Sequence, residues 1–191
     1  TQEFFRNGRT KPGAIVRAGN VIGAGDTTED RLFTDLVAAT RDQSVLEIRF
    51  PDAIRPWQHV LDCLDGYLHV LSGVAHNQQV AWNIGPGASQ LASVNVVLQH
   101  SRALLQESFP RLAMEETKWF EAGHLSLDAS AASETFDLVN HYSFDKAVTD
   151  ALAQAFDYNG LSAREHLVAE IRSRAELELQ QEGRLSQGNS G

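Results

Sequence analysis

The chain has 191 residues, 42% hydrophobic and 21% charged, with a net charge of −9. That is ample apolar chain for one ordinary domain or two small lobes, and the acidic balance argues against general nucleic-acid binding, which needs a basic face. The single cysteine, Cys63, excludes an internal disulfide framework and a cysteine-based zinc site, and fits a reducing compartment.

No apolar run approaches the ~18 residues of a membrane span, and the opening TQEFFRNGRTKPG lacks the charged-then-apolar layout of a signal peptide. A cytoplasmic location is therefore expected, and a chain opening on Thr1 fits a processed protein or a fragment. In chain order, Ala14–Ala18 reads as a buried strand. It runs into RAGNVIGAGDTTED, Arg17–Asp30, whose three glycines suggest a turn that brings backbone N–H groups near an anion, with Asp26 shaping it. A helix follows over Asp30–Asp42, capped by Thr27 or Thr28 and carrying Leu32, Phe33, Leu36 and Val37 at helical spacing. Val45–Phe50 alternates as a strand. Pro56 then precedes a helix over His59–Ala75, with Val60, Leu61, Leu64, Leu68 and Leu71 as its core stripe and Gly66 and Gly73 allowing close packing. Gln79–Ile84 is strand-like, and Ser93–Glu107 is a helix buried through Val94, Val97, Leu98, Leu104 and Leu105.

The second half is less regular. Leu112–Trp119 and His124–Leu127 read as short extended pieces, and Asp128 caps a short helix ending near Phe136. Ser143 and Lys146 open a helix that Asn159 and Gly160 stop, and Ser162 opens a polar helix with Leu167, Val168 and Ile171 on one face. Residues 1–183 read as one α/β unit, and the Gly/Ser/Gln-rich end, 184–191, as a disordered tail.

RAGNVIGAGDTTEDRLFTD, then FPDAIRPWQHVLDCLDGYL, then WNIGP resemble stretches of nucleotide-sugar dehydratases of the extended short-chain dehydrogenase/reductase type, closest to the CDP-glucose 4,6-dehydratases. HLSLDASAASETFDLVNHYSFDKAV is similar more weakly. The resemblance implies an α/β fold that is the C-terminal substrate-binding lobe of such an enzyme, with the Rossmann domain absent. It implies a nucleotide-diphosphate sugar as ligand, a missing N-terminal Rossmann domain as partner, and NAD as cofactor of the parent enzyme, not bound by this chain alone. Glycines spaced G-x-x-x-G-x-G without a following βαβ unit do not make a dinucleotide loop. The chain alone is expected to lack both that loop and the family's Tyr-x-x-x-Lys pair, and to be inactive by itself. A free-standing sugar-nucleotide-binding or partner-binding module, and part of a nucleotide-sugar epimerase, stay open.

The resemblance also carries candidate residues. Asn20 is expected beside the sugar diphosphate, where an amide donates and accepts without adding charge; its alternative is a local turn role. Arg31, at the start of the following helix, is expected near the diphosphate. Arg55 is the strongest candidate, because a guanidinium grips phosphate oxygens with two parallel N–H bonds; the alternative is a structural pair with Asp52 or Asp62. Trp57 could wall or stack the nucleotide or be plain core, Gln58 could read a base or ribose edge, and Asn83 in WNIGP could sit near the ligand or serve a turn. His59 reads as a helix-start histidine bonded to backbone, and Cys63 as a small core filler. The remaining histidines show no metal-ligand spacing, and no metal, membrane or nucleic-acid partner is expected.

Overall fold

A computed structural model describes residues 13–73, 81–87, 90–115, 120–153, 165 and 167–176. The expected elements over 74–75, 79–80, 116–119 and 154–164, and the tail 184–191, lie outside the described residues. Among the described residues the elements run β1 (Ile15–Ala18), β2 (Asn20–Ile22), α1 (Leu32–Arg41), β3 (Val45–Ile48), β4 (Ile54–His59), α2 (Val60–Gly73), β5 (Ala81–Ile84), β6 (Leu91–Ser93), α3 (Val94–Leu105), β7 (Arg111–Met114), α4 (Ser130–Phe136) and α5 (Phe144–Leu152). Residues 167–176 are helical.

Strand pairing is mostly parallel: β1 with β5, β2 with β4 and β3 with β7, while β4 also pairs antiparallel with β6. The parallel pairs need crossovers: α1 lies in the connection from β2 to β4, and α2 in the one from β1 to β5. The main core gathers Leu36, Trp57, Val97, Val148 and Leu152 from α1, β4, α3 and α5. A second cluster packs Val70, Trp82, Ile84 and Ala132.

Four local expectations are corrected. RAGNVIGAGD is not one glycine turn: β1 and β2 continue through it. A Cβ on Gly19 would lie 2.6 Å from Pro56 Cγ, and one on Gly23 would lie 2.4 Å from Val60 Cγ1. These two glycines serve close packing on β4 and the start of α2, and only Gly25 uses the left-handed backbone, at φ +94. Second, RPWQH, expected only to lead into a helix starting at His59, is itself a strand through His59, and β2 pairs with it in the register Asn20↔Trp57, Val21↔Gln58 and Ile22↔His59. Third, α1 begins at Leu32 with Arg31 at its N-cap and no side-chain cap, so neither Thr27 nor Thr28 caps it. Asp26 instead accepts from the Thr28 N–H at 2.9 Å, and that bond holds its carboxyl below the ordinary range.

The fourth correction is the core stripe of α2. Leu64, Leu68 and Leu71 are exposed, and Leu61, Cys63, Gly66 and Val70 are buried. The helix lays its small residues on β5, where a Cβ on Gly66 would come within 2.6 Å of Ile84 Cγ2. Close approach of backbones, rather than side-chain size, chose the inward face. The role expected of Ser143 is found: its side chain accepts from the Lys146 N–H at the start of α5. Ser93 caps α3 in the same way. Leu104, expected in the core, is exposed.

Candidate functional site

Two adjoining cavities, of about 280 and 270 Å³, share Asn20, Arg31, Leu32 and Trp57 as walls and form one groove between β2, β4 and the start of α1. Successive strand residues point to opposite faces. Arg55 and Trp57 therefore share the groove face of β4, and Gln58 points away. Asn20, opposite Trp57 in the β2–β4 ladder, is half-buried at the point where the cavities meet. Arg31 reaches both cavities from the N-cap of α1, where the orphan N–H groups of the first turn also face.

Arg55 is almost enclosed, its side chain 7% exposed. One guanidinium nitrogen donates to the Ile54 carbonyl at 2.7 Å, and the other donates to Glu121, which lines the second cavity. The partner is thus Glu121 rather than Asp52 or Asp62. Trp57 is 3% exposed, its Nε1 donates to the Ala92 carbonyl at 2.9 Å, and its ring meets Phe33 edge-on. With so little face free it is a wall of the groove rather than a stacking platform. Burial, reinforced by Asp30, pushes the Asp35 carboxyl up, against the pull of Arg49.

Two candidates lie elsewhere. Gln58 is 2% exposed, and its amide donates to Asn140 at 2.9 Å on the far side of β4. Asn83 donates to the Asp128 carbonyl at 2.9 Å and accepts from Arg17 at 3.4 Å, tying β5 to the start of α4 and to β1. Neither lines the groove. Reading Ile54–His59 as a strand would have set Gln58 opposite Arg55 and Trp57. Glu121 was invisible to spacing, because it stands 66 residues from its partner.

His59, at the end of β4, belongs to a second assembly. Its Nδ1 accepts from the Leu61 N–H at 3.1 Å, so Nε2 carries the proton and donates to Asp150 at 3.1 Å. Its ring stacks on Tyr142 with centroids 4.0 Å apart. Lys146 donates to both Asp150 oxygens at 2.7 Å and to Glu170 at 2.6 Å. Burial pushes Asp150 up, but the bonds from His59 and Lys146 outweigh it and hold the carboxyl low. Burial likewise pushes Lys146 down, and its two carboxylate partners outweigh that and raise it. Tyr142 and Lys146 do stand at Tyr-x-x-x-Lys spacing, in YSFDK, which corrects the expectation that the chain lacks one. Here the ring is stacked on His59 and the ammonium is held by two carboxylates, and neither residue lines the groove.

Among the described residues no group of three or more His, Cys, Asp and Glu is placed to hold a metal ion, and no helix is long and apolar enough to cross a membrane. The glycine segment does not fit a dinucleotide: the space above Gly19 and Gly23, where a pyrophosphate would approach, is filled by Pro56 and Val60.

Residues 4–85 match the model of the NAD dependent epimerase/dehydratase family. The chain is 37% identical over 125 residues to CDP-glucose 4,6-dehydratase of Salmonella typhimurium, covering 63% of this chain and 34% of that protein. In structure it is similar to UDP-glucuronic acid 4-epimerase from Bacillus cereus, solved with UDP-glucuronic acid and NAD. That match has a TM-score of 0.68 at 16% identity and covers 81% of this chain and 48% of the other. It is also similar to TunA, an NAD-dependent NDP-hexosamine 5,6-dehydratase involved in tunicamycin biosynthesis. There the TM-score is 0.67 at 19% identity, over 83% of this chain and 51% of the other. The chain therefore spans about a third of the curated relative and about half of these solved structures.

The α/β class stands, but the fold assignment made from the sequence does not. A C-terminal substrate-binding lobe with the Rossmann domain absent is overturned by the family match, which falls on residues 4–85. The same residues hold the parallel β2–β4 and β1–β5 pairs. That the glycine segment lacks a dinucleotide loop does not by itself set it apart as a separate domain.

Proposed function

We propose that the groove binds a nucleotide-diphosphate sugar, of which a CDP-hexose is the first choice, as part of a nucleotide-sugar dehydratase or epimerase. The observation that carries this reading is the convergence of Asn20, Arg31 and Arg55 on one groove. A diphosphate needs charge-assisted donors held in place, and a buried guanidinium anchored on the Ile54 carbonyl is already oriented. Asn20 and Arg31 would meet the sugar and the remaining phosphate oxygens, while Trp57 and Phe33 close the floor. Similarity to a CDP-glucose 4,6-dehydratase supports the choice of nucleotide.

The proposed contribution of these residues is to bind and orient the ligand, and such positioning is worth several kcal/mol to a reaction. Calorimetric titration with CDP-glucose and UDP-glucose tests it. Arg55→Ala should weaken binding roughly 10- to 100-fold, as expected for losing a charged hydrogen-bond donor. Equal affinity in the variant, or no binding of either nucleotide sugar by the wild-type chain, sinks the reading.

A further inference from the structure

Arg55 is enclosed and Glu121 is not: their side chains are 7% and 45% exposed. The guanidinium is fixed by its bond to the Ile54 carbonyl. The backbone around Glu121 is also fixed, because Ile54 N–H donates to the Gly123 carbonyl at 2.9 Å and Leu125 N–H donates back to the Ile54 carbonyl at 3.0 Å. Between two anchored backbones, the Glu121 carboxylate can rotate toward solvent while Arg55 stays in place. The second cavity is lined by Asp30, Asp35, Glu47 and Glu121 against Arg31, Arg49 and Arg55. With Glu121 inward, acidic groups outnumber basic ones there, and a ligand's phosphates meet a carboxylate already seated on the best donor.

From this geometry, and resting on the groove being a nucleotide-sugar site, we propose that Glu121 is a displaceable counter-carboxylate. It neutralises the buried Arg55 while the groove is empty and gives up the guanidinium to the ligand's diphosphate. An uncompensated buried guanidinium is costly, so the pair keeps the empty groove folded. Glu121 thereby sets the affinity of the groove for a phosphate-bearing ligand: every such ligand must displace the carboxylate from Arg55.

Glu121→Gln tests this, because the amide oxygen still accepts from Arg55 but carries no charge. Titration with CDP should show the variant binding more tightly by roughly fivefold, the size of a half-exposed ion pair. In the wild-type chain, the Arg55 side-chain nitrogen resonance should shift when CDP is added, a readout that does not depend on the variant folding. Weaker or unchanged CDP binding by a folded Glu121→Gln variant overturns the proposal, as does an Arg55 resonance that CDP leaves unmoved. If Arg55→Ala abolishes CDP binding while Glu121→Gln changes nothing, the groove reading stands and only the role of Glu121 falls. No CDP binding by any form removes both.

Discussion

Arg55 and His59 stand on the same face of β4, four residues apart, and each meets a carboxylate brought from the second half of the chain. At the groove end the carboxylate is Glu121, nearly half exposed. At the other end it is Asp150, 4% exposed, shared between His59 and Lys146 and backed by Glu170. Two side chains of one strand thus meet carboxylates that differ sharply in access to water. An accessible carboxylate can be exchanged for a ligand, whereas an enclosed one that saturates its partners is a structural fastening for α5 and the 167–176 helix.

The sharpest way to break this contrast is Asp150→Ala. It strips His59 Nε2–H and Lys146 of their shared acceptor inside the protein, and a loss of about 3–5 kcal/mol is expected from chemical denaturation, as for other broken buried pairs. The pH dependence should follow the same carboxylate. Because the folded Asp150 is held below its ordinary 3.8, its contribution is complete above that pH and is lost as pH falls through the folded value. Lys146 is raised above its ordinary 10.5, so its contribution is complete below that pH and is lost as pH rises through the folded value. Melting temperatures measured across acid and alkaline pH should show both declines in the wild type, with the Asp150 part of the acid decline missing in Asp150→Asn. An unchanged acid limb would refute the assignment.

Gly19→Ala comes next, at a cost of about 2 kcal/mol. The new methyl meets the rigid Pro56 ring between Arg55 and Trp57, and a proline ring cannot turn aside. It should lower both the denaturation midpoint and affinity for a nucleotide sugar, because it moves the groove face of β4. Gly25→Ala meets open space but a positive φ, so a cost of about 1 kcal/mol is expected with ligand affinity kept. Ser93→Ala removes the α3 cap, a hydroxyl bonded to the Val96 N–H and to neither carboxylate, and should cost about 0.5–1 kcal/mol in denaturation with little change in binding. Equal effects of the two glycine changes on affinity would show that the groove does not depend on the β2–β4 contact.

Much of this protein is readable in order. Helical spacing located α1, α2, α3 and α5 to within a few residues, and the hydroxyls of Ser93 and Ser143 sit where cap chemistry puts them. These features depend on neighbours within one turn, which a sequence displays directly. The pairing of the GNVIGAGD and RPWQHV segments was also legible as family resemblance, and the structure brings Asn20, Arg31, Arg55 and Trp57 onto one groove.

What failed was whatever depends on approach from outside the local segment. Leu64, Leu68 and Leu71 of α2 face outward, while Gly66 and Val70 turn to β5, where a Cβ on Gly66 would meet Ile84. YSFDK has the spacing of a Tyr–Lys pair, but His59, Asp150 and Glu170 had already claimed its side chains. The sequence by itself determined which residues could hold a diphosphate and where helices would start, since those follow from side-chain chemistry and local backbone preference. Only the tertiary structure decided that Gln58 and Asn83 turn away from the groove, that Glu121 holds Arg55, and that two of the three glycines serve packing. Each of these was fixed by a partner far along the chain, at a distance that no local spacing encodes.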